Sequence, residues 1–383
     1  MTVQPFQINV PEAVLQDLKE RLANTRWPDE VVGAGWDYGT NLGYMKELAD
    51  YWLHRYDWRK QEAMLNKFAW FTATIDGVEV RFIHERGKGP NPTPLILFHG
   101  WPDSICRYLK LIPMLTDPAK YGSNPENSFD VVVPSFIGFS GKSKAPSKHL
   151  LKDISELSWL LMTDGLGYSR FGAGGGDGGS PISQLLGVYH PESIIGLHLT
   201  DIGYHTTMAQ YSDLSEAEQR YLNEQQTVGF REGAYAMQMG TKPQTLAYGL
   251  NDSPAGMAAW IVEKIRSWSD CDGEIEKLYT KDEILTNIMQ YWLVGPTVRA
   301  FSYREEWVSP SLKPDQQVNV PVAVANPPKD INPIPPREFA ERNLKNIQQW
   351  TVLAHGGHFA AMEFPELMAE DIRAFFRPFR KSI

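Results

Sequence analysis

Gly175-Gly176-Asp177-Gly178-Gly179 leads directly into a helix-forming run at 180–189. The stretch matches the pattern Gly-x-nucleophile-x-Gly, in which a strand turns so tightly into a helix that side chains two residues from the reactive one would clash. Gly175 and Gly179 meet this requirement, so we expect the carboxyl group of Asp177 to project from the turn. The helix N terminus behind it offers backbone N–H groups and a positive dipole end, which favour an ionised carboxylate.

A carboxylate at the centre of this turn predicts a different reaction from a serine there. Serine attacks a carbonyl carbon, whereas a carboxylate can displace at saturated carbon and form an alkyl ester that water must hydrolyse. The other interpretations of the stretch are a phosphate-binding loop and a plain turn. It lacks the Lys-Ser/Thr ending of a P-loop, and no acidic ribose ligand is evident at the appropriate distance. We therefore interpret Asp177 as a nucleophile.

Short apolar runs separated by helical segments surround this turn, at 78–84, 95–98, 129–133 and 194–200. Such runs are typical of a largely parallel sheet with helices on both faces. From about Asp201 to Leu312 the sequence is mainly helical, and strand patterns resume at 320–325 and 350–353. A helical block that interrupts a parallel sheet predicts an inserted cap.

The sequence thus predicts an α/β fold in three parts. Residues 1–70 are predicted to form a helical N-terminal meander, in which Pro11 begins one helix and a second helical pattern covers 44–68. Residues 71–201 and 313–383 form the core of an α/β-hydrolase fold, which a helix at 365–376 completes. Residues 202–312 form the helical cap.

A histidine and an acid follow the last two predicted strands, which is the chain order that this fold uses after its nucleophile. His358 is the candidate base; His355 is its competitor, and a buried structural histidine is the alternative. Asp330 follows the strand at 320–325, where an acid would fix the imidazole tautomer and stabilise the imidazolium. A solvated aspartate beside Lys329 is an equally good interpretation of its position alone.

His99-Gly100-Trp101-Pro102 follows the predicted strand at 95–98. In this fold the loop after that strand supplies one half of an oxyanion hole, and the residue after the nucleophile supplies the other. The predicted donors are therefore the backbone N–H groups of Trp101 and Gly178. A turn filled by His99 and Trp101 for packing is the alternative.

Composition and charge exclude several classes of function. The 383 residues carry a formal net charge of −9 with a sequence pI of about 5.6, which gives no attraction to nucleic acid or anionic lipid. Cys106 and Cys271 lack a metal-ligand spacing and indicate no disulfide framework. The N terminus lacks the pattern of a secretory signal, and no apolar run reaches the ~20 residues that cross a bilayer. We expect a cytoplasmic protein with no membrane anchor, metal or cofactor.

These motifs together resemble the epoxide hydrolase family, in the branch that has an N-terminal meander and is similar to microsomal epoxide hydrolase. The resemblance extends from Phe6 to Phe376. Its motifs are the turn at 99–102, the pair Gly176-Asp177, and the stretch Gly357-His358-Phe359-Ala360-Ala361 with Glu363 and Pro365 after it. Relatives commonly have Trp or another large residue where this chain has Gly178, and many members have Glu where Asp330 stands.

The resemblance also implies two cap tyrosines that hydrogen-bond the epoxide oxygen. One matches Tyr235, six residues before Thr241-Lys242-Pro243, and the other matches Tyr303 within Phe301-Ser302-Tyr303-Arg304-Glu305. A phenol can donate a hydrogen bond or a proton to an alkoxide as the ring opens. Without the resemblance, ordinary packing in the cap would explain both tyrosines.

The reaction that the resemblance implies opens a small apolar or aromatic epoxide with water, through an ester on Asp177. Asp330 orients His358, which activates the water, and a vicinal diol leaves. The rival hypotheses are a haloalkane dehalogenase, a serine-type esterase, a relative that opens an epoxide intramolecularly, and a catalytically silent ligand-binding protein. The sequence also allows a homodimer.

Overall fold

A computed structural model of the chain describes residues 1–135, 150–203, 211–294, 297–313 and 315–382. Within these residues a nine-stranded sheet has the order β1-β2-β3-β5-β4-β6-β7-β8-β9. The first three strands are antiparallel to their neighbours, and β4 to β9 run parallel. The strands are β1 Val3–Pro5, β2 Trp70–Ile75, β3 Val78–Glu85, β4 Thr93–Phe98, β5 Phe129–Pro134, β6 Phe171–Gly175, β7 Ile194–Leu199, β8 Val322–Asn326 and β9 Ile347–Val352.

Alternate residues of the central strands pack against two separate hydrophobic clusters. Leu95 and Leu97 of β4 join one cluster, whereas Ile96 and Phe98 join the other, because successive side chains of a strand point to opposite faces. The first face is covered by α4 (Leu111–Thr116) and α15 (Pro365–Phe376), and the second by α5 (Leu150–Leu160) and α6 (Gly179–Tyr189). The parallel sheet with helices on both faces agrees with the sequence prediction.

The N-terminal segment differs from its prediction as a purely helical meander. It contains the edge strand β1, and β2 begins at Trp70, whereas the sequence predicts only helices for residues 1–70. A strand of three residues is too short to produce a recognisable alternation of apolar and polar residues. The helical pattern at 44–68 is two helices, because the Asp57 side chain accepts the Lys60 N–H and starts a new one. These helices are α2 Leu42–His54 and α3 Trp58–Leu65, after α1 Glu12–Ala23, of which Pro11 is the N-cap.

Six helices lie between β7 and β8 in the described part of the predicted cap. They are α7 Glu216–Glu232, α8 Ala234–Thr241, α9 Pro243–Asp252, α10 Pro254–Trp268, α11 Lys281–Trp292 and α12 Thr297–Val308. Ser215 and Thr280 begin α7 and α11 with capping boxes. In each, the Ser or Thr hydroxyl accepts the backbone N–H of a Glu three residues later, and the Glu carboxylate accepts the N–H of the Ser or Thr. Two short helices, α13 Arg337–Ala340 and α14 Ala360–Glu363, complete the C-terminal part. The boundaries between meander, core and cap stay a prediction.

Side chains of the N-terminal segment contact the cap helices. Tyr51 donates its hydroxyl hydrogen to Asp282 at 2.9 Å, and the Thr40 hydroxyl donates to the Ala259 carbonyl at 2.7 Å. Further contacts join Tyr56 to Thr286 and Arg21 to Asp252. Within the described ranges, no helix combines the length and the apolar character needed to cross a membrane.

Candidate active site

The turn after β6 has the geometry that a nucleophile elbow requires. Asp177 has φ +53°, in the left-handed region that non-glycine residues rarely adopt. A Cβ atom at Gly175 or at Gly179 would collide with the carbonyl oxygen of Phe98 at the end of β4. Gly178 is the N-cap of α6 with φ −57° and ψ −20°, a backbone conformation open to any residue. Close packing against β4 therefore explains the two outer glycines, whereas the backbone angles of Gly178 do not themselves call for glycine.

The loop after β4 holds one oxygen of the Asp177 carboxylate. The Trp101 N–H donates to Oδ1 of Asp177 at 2.8 Å, and Gly100 packs directly against the same carboxyl group. The Asp103 side chain fixes this loop, because it accepts the Gly100 N–H at 2.8 Å and pairs with the buried guanidinium of Arg107.

The remaining predicted residues of this loop and turn are also placed by close contacts. His99 is fully buried with Nδ1 3.1 Å from the Gly100 carbonyl oxygen, and the Trp101–Pro102 peptide bond is cis. Gly176 lies against the hydroxyl of Thr200, where a Cβ atom would have no room.

His358 lies between two carboxylates. Its Nδ1 atom is 3.3 Å from each oxygen of Asp330, and its Nε2 atom is 3.6 Å from Oδ2 of Asp177. All three side chains are at least nine-tenths buried. His355, in contrast, is exposed and stacks on Phe364. Of the two candidate histidines, the structure therefore brings His358 to the Asp177 carboxylate.

The protonation of His358 follows from these neighbours. Burial disfavours the imidazolium, but the carboxylates of Asp330 and Asp177 outweigh this effect and raise the pKa of His358 to about 10. The resting site thus holds a positive imidazolium between two negative groups. If Asp177 became an ester, one of the two negative charges would be lost and the imidazolium would release its proton more easily.

Asp201 is a residue of the site that the sequence analysis missed. Its Oδ2 atom accepts the backbone N–H of Asp177 at 2.7 Å, and its Oδ1 atom accepts the Gly203 N–H at 2.9 Å. Burial, together with the charges of Asp177 and Asp330, raises the pKa of Asp201 to about 6. Its position two residues after β7 was a usable signal, because carboxyl ends of neighbouring parallel strands meet at one edge of a sheet.

The two predicted cap tyrosines lie together beside Trp101. The Tyr235 ring stacks on Trp101 with 5.0 Å between centroids, and the Tyr303 ring is 6.2 Å from Trp101 and 5.9 Å from Tyr235. Trp268, which the sequence analysis did not single out, lies 5.0 Å from Tyr235 and 5.2 Å from His358. Aromatic rings thus connect the tyrosine pair to the histidine. Among the described residues, no group of three His, Cys, Asp or Glu could hold a metal ion.

Comparisons with known proteins identify a family model and relatives that are all described as epoxide hydrolases. Residues 3–108 match the family model described as epoxide hydrolase N terminus. The chain is 38% identical over 379 residues to an epoxide hydrolase homologue of Stigmatella aurantiaca (strain DW4/3-1), covering 99% of this chain and 86% of that relative. It is 32% identical to epoxide hydrolase 1 of Oryctolagus cuniculus, with 98% and 88% covered.

The crystal structure of juvenile hormone epoxide hydrolase from the silkworm Bombyx mori superposes with a TM-score of 0.87 at 28% identity. The superposition covers 99% of this chain and 95% of that chain. The α/β-hydrolase fold predicted from the sequence is thereby confirmed.

The packing of the elbow predicts a large cost for one added methyl group. Gly179→Ala should lower the free energy of unfolding by about 1–3 kcal/mol, because the new Cβ meets the Phe98 carbonyl oxygen. Gly229→Ala is the matched control, since that glycine lies in α7 with open space around it and should gain ~0.5–1 kcal/mol. Urea unfolding of both variants is the measurement. Equal stability of the two variants would show that the elbow tolerates a side chain.

The pKa of His358 should fall when Asp177 loses its charge. In Asp177→Ala one of the two carboxylates that stabilise the imidazolium is gone, whereas burial still opposes the positive charge. An NMR titration of the ¹⁵N-labelled imidazole would measure the pKa in the wild type and the variant. The imidazole signals of the exposed His355 serve as the internal reference. An unchanged His358 pKa would contradict the electrostatic coupling.

Proposed function

Because the chain belongs to the epoxide hydrolase family, we propose that it opens an epoxide to a vicinal diol through a covalent ester on Asp177. The observation that carries this mechanism is the placement of His358 Nε2 3.6 Å from the Asp177 carboxylate, which a backbone N–H of Trp101 also contacts. These contacts support the proposed roles of Asp177 as nucleophile, of His358 with Asp330 as base and orienting acid, and of the Trp101 N–H as oxyanion donor.

The first step joins Asp177 to the substrate. A carboxylate oxygen attacks a ring carbon of the epoxide, and the bond from that carbon to the ring oxygen breaks. Tyr235 and Tyr303 stabilise the developing alkoxide, and one phenol gives it a proton. Phenols with an ordinary pKa of ~10 are suitable donors to an alkoxide, which is far more basic.

The second step frees the enzyme. Loss of the Asp177 charge lets the imidazolium give its proton to the tyrosinate, which restores the phenol. Neutral His358, oriented by Asp330, then removes a proton from water. The hydroxide attacks the Asp177 carbonyl carbon, and the N–H groups of Trp101 and Gly178 stabilise the oxyanion. The bond between the Asp177 carbonyl carbon and the diol oxygen breaks, and that oxygen takes the proton of the new carboxylic acid. The diol leaves, and the resting carboxylate and imidazolium are restored.

The substrate we propose is a small apolar or aromatic epoxide. The rings of Trp101, Tyr235, Trp268 and Tyr303 form one cluster, with centroid distances of 5.0–6.2 Å between neighbours. This cluster contacts Asp177 through the Trp101 N–H and His358 through the Trp268 ring. Such rings offer large apolar contact area and few charges, which suits an uncharged guest. Water is the second reactant, and neither nucleic acid nor a membrane anchor has a place in the proposal. A cytoplasmic location and a homodimer stay predictions.

Two rival functions are less consistent with the site. A haloalkane dehalogenase would hold its halide with Trp or Asn N–H donors, whereas two tyrosines stand beside Trp101 here. A serine-type esterase would need serine in place of Asp177. A silent binding protein or an intramolecular ring-opening relative could keep the same pocket, and turnover of a panel of epoxides to diols separates both from the proposal.

Isotope labelling tests the ester directly. In one turnover in ¹⁸O-water with enzyme in excess, the heavy oxygen should enter the Asp177 side chain, because water attacks the ester carbonyl and the diol carries off an original carboxylate oxygen. Mass spectrometry of the peptide that contains Asp177 is the measurement. Asp177→Ala is the control and should form neither ester nor diol. Label found only in the first-turnover diol would exclude the ester.

Removing either phenol hydroxyl should slow ring opening. Tyr235→Phe and Tyr303→Phe each remove one donor to the developing alkoxide, so the rate of ester formation should fall by roughly 10²–10³-fold. Rapid-quench mass spectrometry of the adduct measures that rate. Tyr248→Phe is the matched control, because Tyr248 is an exposed tyrosine on cap helix α9. Wild-type rates in both variants would remove the tyrosines from the mechanism.

A further inference from the structure

The turn that ends cap helix α10, residues 268–272, contacts the loop that carries His358. We call these residues the cap turn. The carbonyl oxygen of Trp268 accepts the His358 N–H at 2.7 Å. The side chain of Asp270 accepts the Gly356 N–H at 3.1 Å. A segment of the cap therefore holds the backbone of the histidine loop directly, through two hydrogen bonds on either side of Gly357.

Glu363 connects the same two segments through hydrogen bonds of its side chain. Its carboxylate accepts the N–H groups of Gly357 and Phe359, which flank His358, and the N–H of Asp270 in the cap turn, each at 2.9 Å. The residue is buried, at 9% exposed. Three backbone donors on one buried carboxylate are charge-assisted hydrogen bonds, which are stronger than those between neutral groups.

The cap turn also reaches the loop that carries the acid. The ammonium of Lys329 lies 2.8 Å from Asp270 and 2.8 Å from Asp272, and its backbone N–H donates to the Gly356 carbonyl at 3.0 Å. Lys329 immediately precedes Asp330. The loops of Asp330 and His358 are thus fixed to each other and to the cap turn by one network of hydrogen bonds and ion pairs.

We propose that Glu363 is a positioning residue, whose carboxylate sets the place of His358 between Asp330 and Asp177 and thereby governs hydrolysis of the ester rather than its formation. The proposal rests on the function proposed above. His358 stands 3.3 Å from Asp330 and 3.6 Å from Asp177, so a small shift of its loop changes both distances. Displacing a reacting group by ~1 Å can cost on the order of 10²-fold in rate.

The selectivity for one step follows from what Glu363 contacts. Its three hydrogen bonds go to the histidine loop and to the cap turn, whereas Asp177 is held by Trp101 and Asp201. Ester formation needs the carboxylate and the phenols, and hydrolysis needs the imidazole. A purely structural carboxylate would instead change both steps by the same factor or change only the stability.

The test is Glu363→Gln, in which an NH₂ group replaces one of the two acceptor oxygens and leaves at least one backbone N–H unpaired. Single turnovers of styrene oxide, at about pH 8.5, give the rates of ester formation and of diol release. This pH lies above the pKa of Glu363, which burial raises to about 7 although three backbone N–H groups oppose the shift. Diol release should slow by roughly 10²-fold, and ester formation by less than ~3-fold, so the covalent adduct accumulates.

Two further variants make the result decisive. Glu366→Gln is the matched control, because that residue is exposed on α15 and should leave both rates unchanged. Asp270→Asn weakens the side-chain contacts of the same network and leaves the Glu363 side chain unchanged. It should slow diol release by about 10-fold, and it tests the positioning role if Glu363→Gln fails to fold.

The outcomes separate this inference from the proposed function. Absence of any adduct in the wild type, with label only in the diol, would overturn the ester mechanism and this inference with it. An adduct in the wild type whose formation and hydrolysis are changed equally by Glu363→Gln and Asp270→Asn, or by neither, would overturn the positioning role alone.

Discussion

The left-handed backbone of Asp177 is the constraint on which the rest of the site depends. With φ +53° the chain turns from β6 into α6 within a few residues, and the side chain is directed at Trp101 and His358. Such a conformation costs a non-glycine residue roughly 1–3 kcal/mol. It persists because the glycines of the turn pack on the end of β4 and the Asp177 N–H is held by Asp201. The Asp177 side chain is therefore placed by neighbouring strands, not by its own local preference.

Charge is the second determinant. The parallel strands β6, β7 and β8 end at one edge of the sheet, and they bring the carboxylates of Asp177, Asp201 and Asp330 close together. Repulsion and burial make this arrangement costly unless a cation compensates, and His358 lies between two of the three groups. In the mechanism we propose, the same excess of negative charge keeps the imidazole protonated until Asp177 is esterified. In that mechanism, formation of the ester removes the Asp177 charge, so that His358 can lose its proton and act as the base.

Most of the fold could be predicted from the sequence, because the central strands are continuous apolar runs and apolar residues recur at helical spacing in the core helices. Strand β1 could not be predicted, because its three residues form a strand only through pairing with β2. Asp177 was predictable because the elbow is a local steric pattern. Asp201 was accessible from its position after a predicted strand, but its contact to the Asp177 N–H was not. Trp268 has no local pattern, since its contacts join residues that are distant along the chain. Tyr235 and Tyr303 were accessible through family resemblance alone. The catalytic roles of all the predicted site residues, Asp177 and His358 included, stay predictions.

The contacts between the N-terminal segment and the cap bear on how a substrate would enter the site. Thr40 binds α10 and Tyr51 binds α11, so the cap is fastened along one side in addition to its covalent links to β7 and β8. Rotation of the whole cap as a rigid body would break these hydrogen bonds. In the function we propose, a substrate would then enter by local rearrangement of the cap helices. Single side chains on those helices, and not the amplitude of a domain motion, would set which substrates are admitted.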